Sequence, residues 1–164
     1  LEPHNWVTAW IAITDSNENN GCMRMWSGSH KNNLKEHDEK FDEGNLLTRG
    51  QTVNNVPHEE TTPLVLTAGQ MSLHHPTVVH GSDLNKSNNR RIGFVVQSYI
   101  GTNVKQVLGV NSVQLARGVD DFNFHEKIGR PSLLMGQDDI RLKKKENDNL
   151  REIFYNGSNI KGNY

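Results

Sequence analysis

A histidine, a serine and an arginine within one short stretch carry the most informative chemistry of this sequence. They lie in the run from Ala68 to Phe94, where His80 is followed by Gly81, then Ser82, and Arg91 comes eleven positions after the histidine. A neutral imidazole is a good ligand for a divalent first-row metal. A guanidinium presents a planar fork that binds a carboxylate bidentately. Ser82, two residues past His80, can aim its hydroxyl at the same carboxylate. Together these residues suit a bidentate 2-oxo acid that chelates a metal at one end and is held by its other carboxylate. Arg90 and Arg91 point to opposite faces of a strand, so only one of them enters a shared cavity. His74 and His75 precede the pair; one of them should face inward, in a packing or supporting role.

The elements that must position these groups are short. Val7–Thr14 is β-branched and aromatic and reads as a strand. Asp15–Gly21 is a turn by composition, and Cys22–Trp26 reads as a second strand, expected to pair antiparallel with the first. Gly28-Ser-His30-Lys closes it. Residues 32–63 are polar and patternless, with Leu34, Phe41, Leu46 and Leu47 as the sole anchors. We expect a long loop there, with one short helical turn, as a substrate lid. Strand pattern resumes at Leu64–Leu66, Met71–His74 and Val78–His80. Ile92–Ile100 is a further strand, expected to lie beside that of His80, and Val113–Arg117 is a weaker one. Short strands separated by turns predict an all-β sandwich or barrel. Asp138–Tyr155 is predicted to form a terminal helix, capped by Asp138 or Asp139 and docking through Ile140, Leu150, Ile153 and Phe154. Lys143–Lys145 is a solvated face.

The stretch around His80 resembles the signature of the phytanoyl-CoA dioxygenase family of non-haem iron(II)/2-oxoglutarate oxygenases. The resemblance extends in order from Val7-Thr-Ala-Trp-Ile-Ala-Ile-Thr-Asp through Asn20-Gly-Cys-Met-Arg-Met-Trp-Ser-Gly-Ser-His-Lys to Ala116-Arg-Gly-Val-Asp-Asp-Phe and Pro131. It implies a double-stranded β-helix, a jelly-roll barrel, here incomplete at its N-terminus. By the same resemblance His80 matches the distal iron ligand and Arg91 the 2-oxoglutarate carboxylate clamp. Ser82 matches the serine that assists the clamp, and Trp10 a tryptophan bordering the cosubstrate. Strand tryptophans are also ordinary core residues. The implied activity is hydroxylation of a small organic or acyl substrate by iron(II), 2-oxoglutarate and O2, releasing succinate and CO2. The family's first metal motif, H-x-D, is expected upstream of Trp10, so the chain carries one of three metal ligands and reads as the C-terminal part of the oxygenase. We expect residues 1–127 to belong to that domain and residues 128–164 to form an extension. His37-Asp-Glu39 and His58-Glu-Glu60 imitate the missing motif, but lie on the wrong side of Trp10 in an acidic loop where such matches are cheap.

Composition bounds the alternatives. With 18 Lys and Arg against 19 Asp and Glu, the net charge of −1 offers no basic field for nucleic acid. Hydrophobic residues make up 34% and the mean hydropathy is −0.72. Globular chains usually reach about 45–50% apolar residues, so much loop or a shared core is implied. No apolar run approaches the roughly 18 residues of a membrane span. The lone Cys22 has no intramolecular disulfide partner and indicates a reducing compartment, which we take to be the cytoplasm. Other classes compete with the oxygenase: a non-redox jelly-roll binding module, carbohydrate-binding or cupin-like, and a silent or halogenase-type relative. The binding module needs no clamped 2-oxo acid, so Arg91 separates it from the oxygenase; the upstream H-x-D residues decide between hydroxylase and halogenase.

Overall fold

The computed structural model describes residues 1–31, 34–40, 47 and 50–158. It divides into two compact units, one of residues 4–46 and 50–100, the other of residues 1–3, 47–49 and 101–164.

The first unit is built from strands. β1 (Trp6–Ala12) lies between β6 (Met71–His74) and β8 (Gly93–Ile100), antiparallel to both. β2 (Met23–Trp26) lies between β5 (Thr61–Pro63) and β7 (His80–Ser82), again antiparallel. β2 therefore does not pair with β1 as the sequence suggested. The polar connection between them is a redirecting turn. The Asn17 side chain accepts from the backbone N–H of Asn19 and Asn20, and the Asn20 side chain accepts from Asn17 N–H and donates to Asp15 O. Gly21 then adopts φ +73°, and a Cβ there would strike the Asp83 carbonyl. The chain leaves this turn in the second sheet.

Register shows which faces meet. Trp10 opposes Ser72, and Thr8 opposes His74. Opposed residues share a face, and Trp10, Ala12, Ser72 and His74 are buried whereas Met71 and Leu73 are exposed. In the other sheet Met23 opposes Ser82 and Met25 opposes His80. Trp10, Ala12 and Met23 form one apolar cluster, with Met25, Leu64 and Leu66 packed against it. The two sheets thus face one another across this cluster.

The long polar stretch is more structured than expected. It contains a two-residue ladder, β3 (Asp38–Glu39) with β4 (Gln51–Thr52), a 3-10 turn at His58–Glu60, and β5. Phe41 and Leu46 lie outside the described residues. Leu64–Leu66 forms no strand of its own; Leu66 makes an isolated bridge to Ser16.

In the second unit, the weak strand at Val113 is a single parallel bridge to Lys127. The helix, α1 (Gln137–Phe154), starts at Gly136 rather than at an aspartate cap. Asp139 acts from inside the first turn, accepting from Gly136 N–H and from Ser132. Ile140, expected to dock, is exposed, while Glu146 is buried and accepts from the Ser112 backbone and hydroxyl at 3.1 and 2.9 Å. No helix among the described residues is long and apolar enough to cross a membrane.

Candidate active site

His80 and Arg91 do not sit on neighbouring strands. β7, which carries His80, is in the sheet of β2; Arg91 lies two residues before β8, which is in the sheet of β1. They are joined across the space between the sheets. Arg91 Nη2 donates to Ser82 Oγ at 3.3 Å, and the guanidinium carbon lies 5.8 Å from the centroid of the Trp10 ring. Ser82 and His80 are two apart on β7 and share the face of their partners Met23 and Met25, and both are exposed. The His80 ring in turn meets that of His74 on β6, with centroids 5.2 Å apart. A circuit runs from Arg91 to Ser82, His80, His74, along β6 to the Ser72–Trp10 pair, and back to Arg91. Arg90 is exposed, whereas Arg91 is half-buried and is the arginine that reaches Ser82.

Each member of the circuit has a local reason for its pose. His80 Nδ1 is 2.9 Å from the Val78 carbonyl, which only accepts, so the proton sits on Nδ1 and the Nε2 lone pair is free. That arrangement orients a metal-binding imidazole. Trp10 lies across β8 because residue 93 is glycine: a Cβ there would sit 2.6 Å from the indole Nε1 and closer still to Cε2 and Cζ2. His74 is 8% exposed, and burial, then the neighbouring His80, pushes its pKa down, which keeps the ring neutral at physiological pH.

The same walls carry polar atoms without partners. Arg91 Nε, Ser72 Oγ and His74 Nδ1 are sealed from solvent and make no hydrogen bond. Stranding such groups costs about 1–3 kcal/mol each, more for a charged one. Two of them, Arg91 Nε and Ser72 Oγ, are donors and suit a polar ligand. Arg91 is the clearest case, because Nε and Nη2 form one edge of the fork that grips a carboxylate. The two ends of the site, His74/His80 and Trp10/Ser82/Arg91, are offset by two residues along β6 and β7. At about 3.3 Å rise per residue that offset is roughly 6.6 Å, suited to a short extended diacid.

A family model for phytanoyl-CoA dioxygenase (PhyH) matches residues 1–93. The chain belongs to the phytanoyl-CoA dioxygenase family. The peroxisomal phytanoyl-CoA dioxygenase of Mus musculus is 34% identical over 86 residues, covering 52% of this chain and 25% of that protein. The Homo sapiens enzyme is 33% identical over the same length and shares. A phytanoyl-CoA dioxygenase of Arabidopsis thaliana is 30% identical over 90 residues, 55% of this chain and 31% of that protein. The matches thus span about a quarter to a third of these relatives. Among solved structures, the non-heme monooxygenase ThoJ in its apo form superposes with a TM-score of 0.77 at 25% identity, over 90% of this chain and 53% of ThoJ. The ThoJ–Ni complex shares the fold at 22% identity with a TM-score of 0.73, over 94% of this chain and 54% of that one. The all-β jelly roll with one C-terminal helix is therefore this chain's architecture.

Within this family member, no group of three His, Cys, Asp or Glu side chains that could hold a metal exists among the described residues. His80 fits one position of an iron site by its tautomer. The imitations of the missing motif do not join it. His58 instead approaches Asp83 at 3.3 Å on an exposed turn, and Asp38, beside His37, accepts from Asn54. The His75 and His30 rings meet at a tilt, with centroids 5.4 Å apart. The sequence reading missed Ser72 and Gly93. Ser72 could have been found from its spacing, two residues before His74 on one strand face; Gly93 carried no signal, because its contribution is the space it leaves.

Proposed function

We propose that this chain carries the cosubstrate clamp and one metal ligand of an iron(II)- and 2-oxoglutarate-dependent dioxygenase that hydroxylates a small organic or acyl substrate, with release of succinate and CO2. The observation that carries this reading is the Arg91 fork: Nη2 on Ser82, the plane near Trp10, and a sealed Nε with no acceptor. A 2-oxoglutarate C5 carboxylate would accept from Nε and Nη2 together, with Ser82 as a further donor. Membership of the family and the likeness to a non-heme monooxygenase support the same class.

Iron, when bound, supplies the activation of dioxygen and the oxidising power for the substrate. The chain's own residues do the positioning. His80 offers Nε2 to the metal while the Val78 carbonyl holds its ring. Arg91 and Ser82 hold the far end of the 2-oxo acid, fixing its chelating end toward His80. Trp10, Met23 and Met25 give the site one apolar side. As further parts of this proposal, the 32–63 stretch serves as the substrate lid, residues 1–127 act as the oxygenase part and 128–164 as an extension, and the protein works in the reducing cytoplasm, where its unpaired Cys22 stays reduced.

The test is 2-oxoglutarate binding by calorimetry to the protein expressed from its complete reading frame, loaded with a redox-inert divalent metal. Arg91→Gln removes a charge-assisted contact of about 1.5–3 kcal/mol, so affinity should fall roughly ten- to a hundredfold. Unchanged affinity in that variant would refute the clamp. A non-redox binding module would show the same indifference to 2-oxoglutarate in the wild type.

A further inference from the structure

We infer that His74, assisted by Ser72, is a second hydrogen-bonding wall of the site: its Nε2–H donates to the metal-chelating carboxylate of the bound 2-oxo acid, while the Ser72 hydroxyl faces the body of that ligand. The inference rests on the proposed oxygenase reading and adds two residues to it.

His74 reaches the site from the sheet opposite His80. It lies on the buried face of β6 with Ser72, directly across from the His80 and Ser82 face of β7. A neutral imidazole has one N–H and one lone pair. His74 Nδ1 is sealed within the protein and has no partner. Buried N–H groups left without an acceptor are rarer than under-satisfied acceptors, so the lone pair belongs on Nδ1 and the proton on Nε2. Nε2 is neither bonded within the chain nor sealed, which leaves its N–H to face the cavity. His80 shows the reverse tautomer, with N–H on Nδ1 and the lone pair on Nε2.

Two imidazoles with centroids 5.2 Å apart thus carry complementary tautomers. One offers a lone pair to a cation; the other offers a proton to whatever anion that cation holds. Ser72 repeats the pattern one step along the strand, opposite Trp10, with a sealed hydroxyl that finds no partner in the chain. A purely structural β6 would carry apolar residues at these buried positions. Apolar residues do occur in β6, as Met71 and Leu73, and both face outward. The pattern is therefore inverted where a ligand would sit.

The test compares His74→Phe, which keeps a flat ring and removes the donor, with His74→Gln, which restores a donor. Both are made in the complete protein loaded with a redox-inert divalent metal. Metal affinity is measured by competition with a chelator, and 2-oxoglutarate affinity by calorimetry. His74→Phe should weaken 2-oxoglutarate about tenfold, with metal affinity and melting temperature held near the wild type. His74→Gln should recover most of that loss, and Ser72→Ala should give a smaller loss. Wild-type 2-oxoglutarate affinity in His74→Phe would overturn the inference, as would an effect on substrate binding alone or an equal loss of metal. If His74→Phe does not fold, a His74→Gln protein that folds but fails to bind 2-oxoglutarate overturns it too. A wild-type protein that binds no 2-oxoglutarate would instead refute the oxygenase reading itself.

Discussion

Adding a single methyl group at residue 93 should disturb the clamp without touching a polar atom. In Gly93→Ala the new Cβ would sit 2.6 Å from Trp10 Nε1 and nearer still to the fused ring. Ordinary contacts between such atoms begin at about 3.5 Å, so the indole must retreat by roughly 1 Å. Trp10 has little room, being 7% exposed and packed with Ala12 and Met23. Overpacking of this kind costs about 1–3 kcal/mol, which in a domain of this size lowers Tm by roughly 2–12 °C. The Arg91 guanidinium stands 5.8 Å from the ring centroid, near the limit for attraction to an aromatic face. Losing that contact removes about 0.5–1 kcal/mol of clamp positioning, a two- to fivefold weakening of 2-oxoglutarate. Thermal melts and calorimetry on Gly93→Ala, Trp10→Phe and the double variant measure both effects. Phenylalanine lacks the fused ring that the methyl group strikes, so the double variant should be more stable than the two single losses imply. Wild-type Tm and affinity in Gly93→Ala would refute this account of the Trp10 seat. So would additivity within about 0.5 kcal/mol, the range expected of uncoupled sites.

Three further outcomes follow from groups outside the clamp. Glu146→Ala strips two hydrogen bonds from Ser112 and strands a backbone N–H, so a loss of about 1–3 kcal/mol should appear in denaturant melts while 2-oxoglutarate affinity stays unchanged. Cys22 is 2% exposed, and burial, then the Glu18 charge, pushes its thiol pKa up; it should resist alkylation at pH 8 in the folded protein and react once the protein is unfolded, as mass spectrometry would show. The Lys127 hydrogen bond, with the Asn123 and Phe122 amides, holds the Asp120 carboxyl below its usual range. A depressed native pKa stabilises the fold above the unfolded value, and that contribution is lost as pH falls through the native one. Asp120→Asn should therefore flatten the acid limb of the Tm-against-pH curve; an unaltered limb would remove Asp120 from the account.

Some placements around the proposed site were readable from residue type and period. His80 and Ser82 share a strand face because side chains alternate; Arg90 and Arg91 lie before β8, outside the strand to which that rule applies. One of the His74–His75 pair was expected to face inward, and His74 does. Strand partners were not readable in this way. An alternating or apolar run specifies a face but not which strand will lie beside it. The 15–21 turn has the composition of a hairpin loop, yet its reciprocal Asn17–Asn20 bonds and the left-handed Gly21 carry the chain into the other sheet. The helix start was misread for a related reason. Asp139 does satisfy an end group, but from three residues inside the helix, where a sequence scan takes it for the cap.

The mispairing matters for function as well as topology. Had β1 paired with β2, and β7 with β8, the histidine and the arginine would have lain side by side on one sheet, with nothing opposite them. Placed on two sheets, they are linked through Ser82, and in the proposed site a ligand would be held from both sides. A clamp built across sheets also ties ligand binding to sheet packing. The apolar cluster of Trp10, Ala12 and Met23 sets the spacing between the walls, so a core substitution such as Met23→Ala should weaken 2-oxoglutarate as well as the fold. In a clamp confined to one hairpin, the same substitution would lower Tm alone. Comparing the two losses in Met23→Ala separates the architectures, and a destabilised variant with wild-type affinity would argue against the two-walled site.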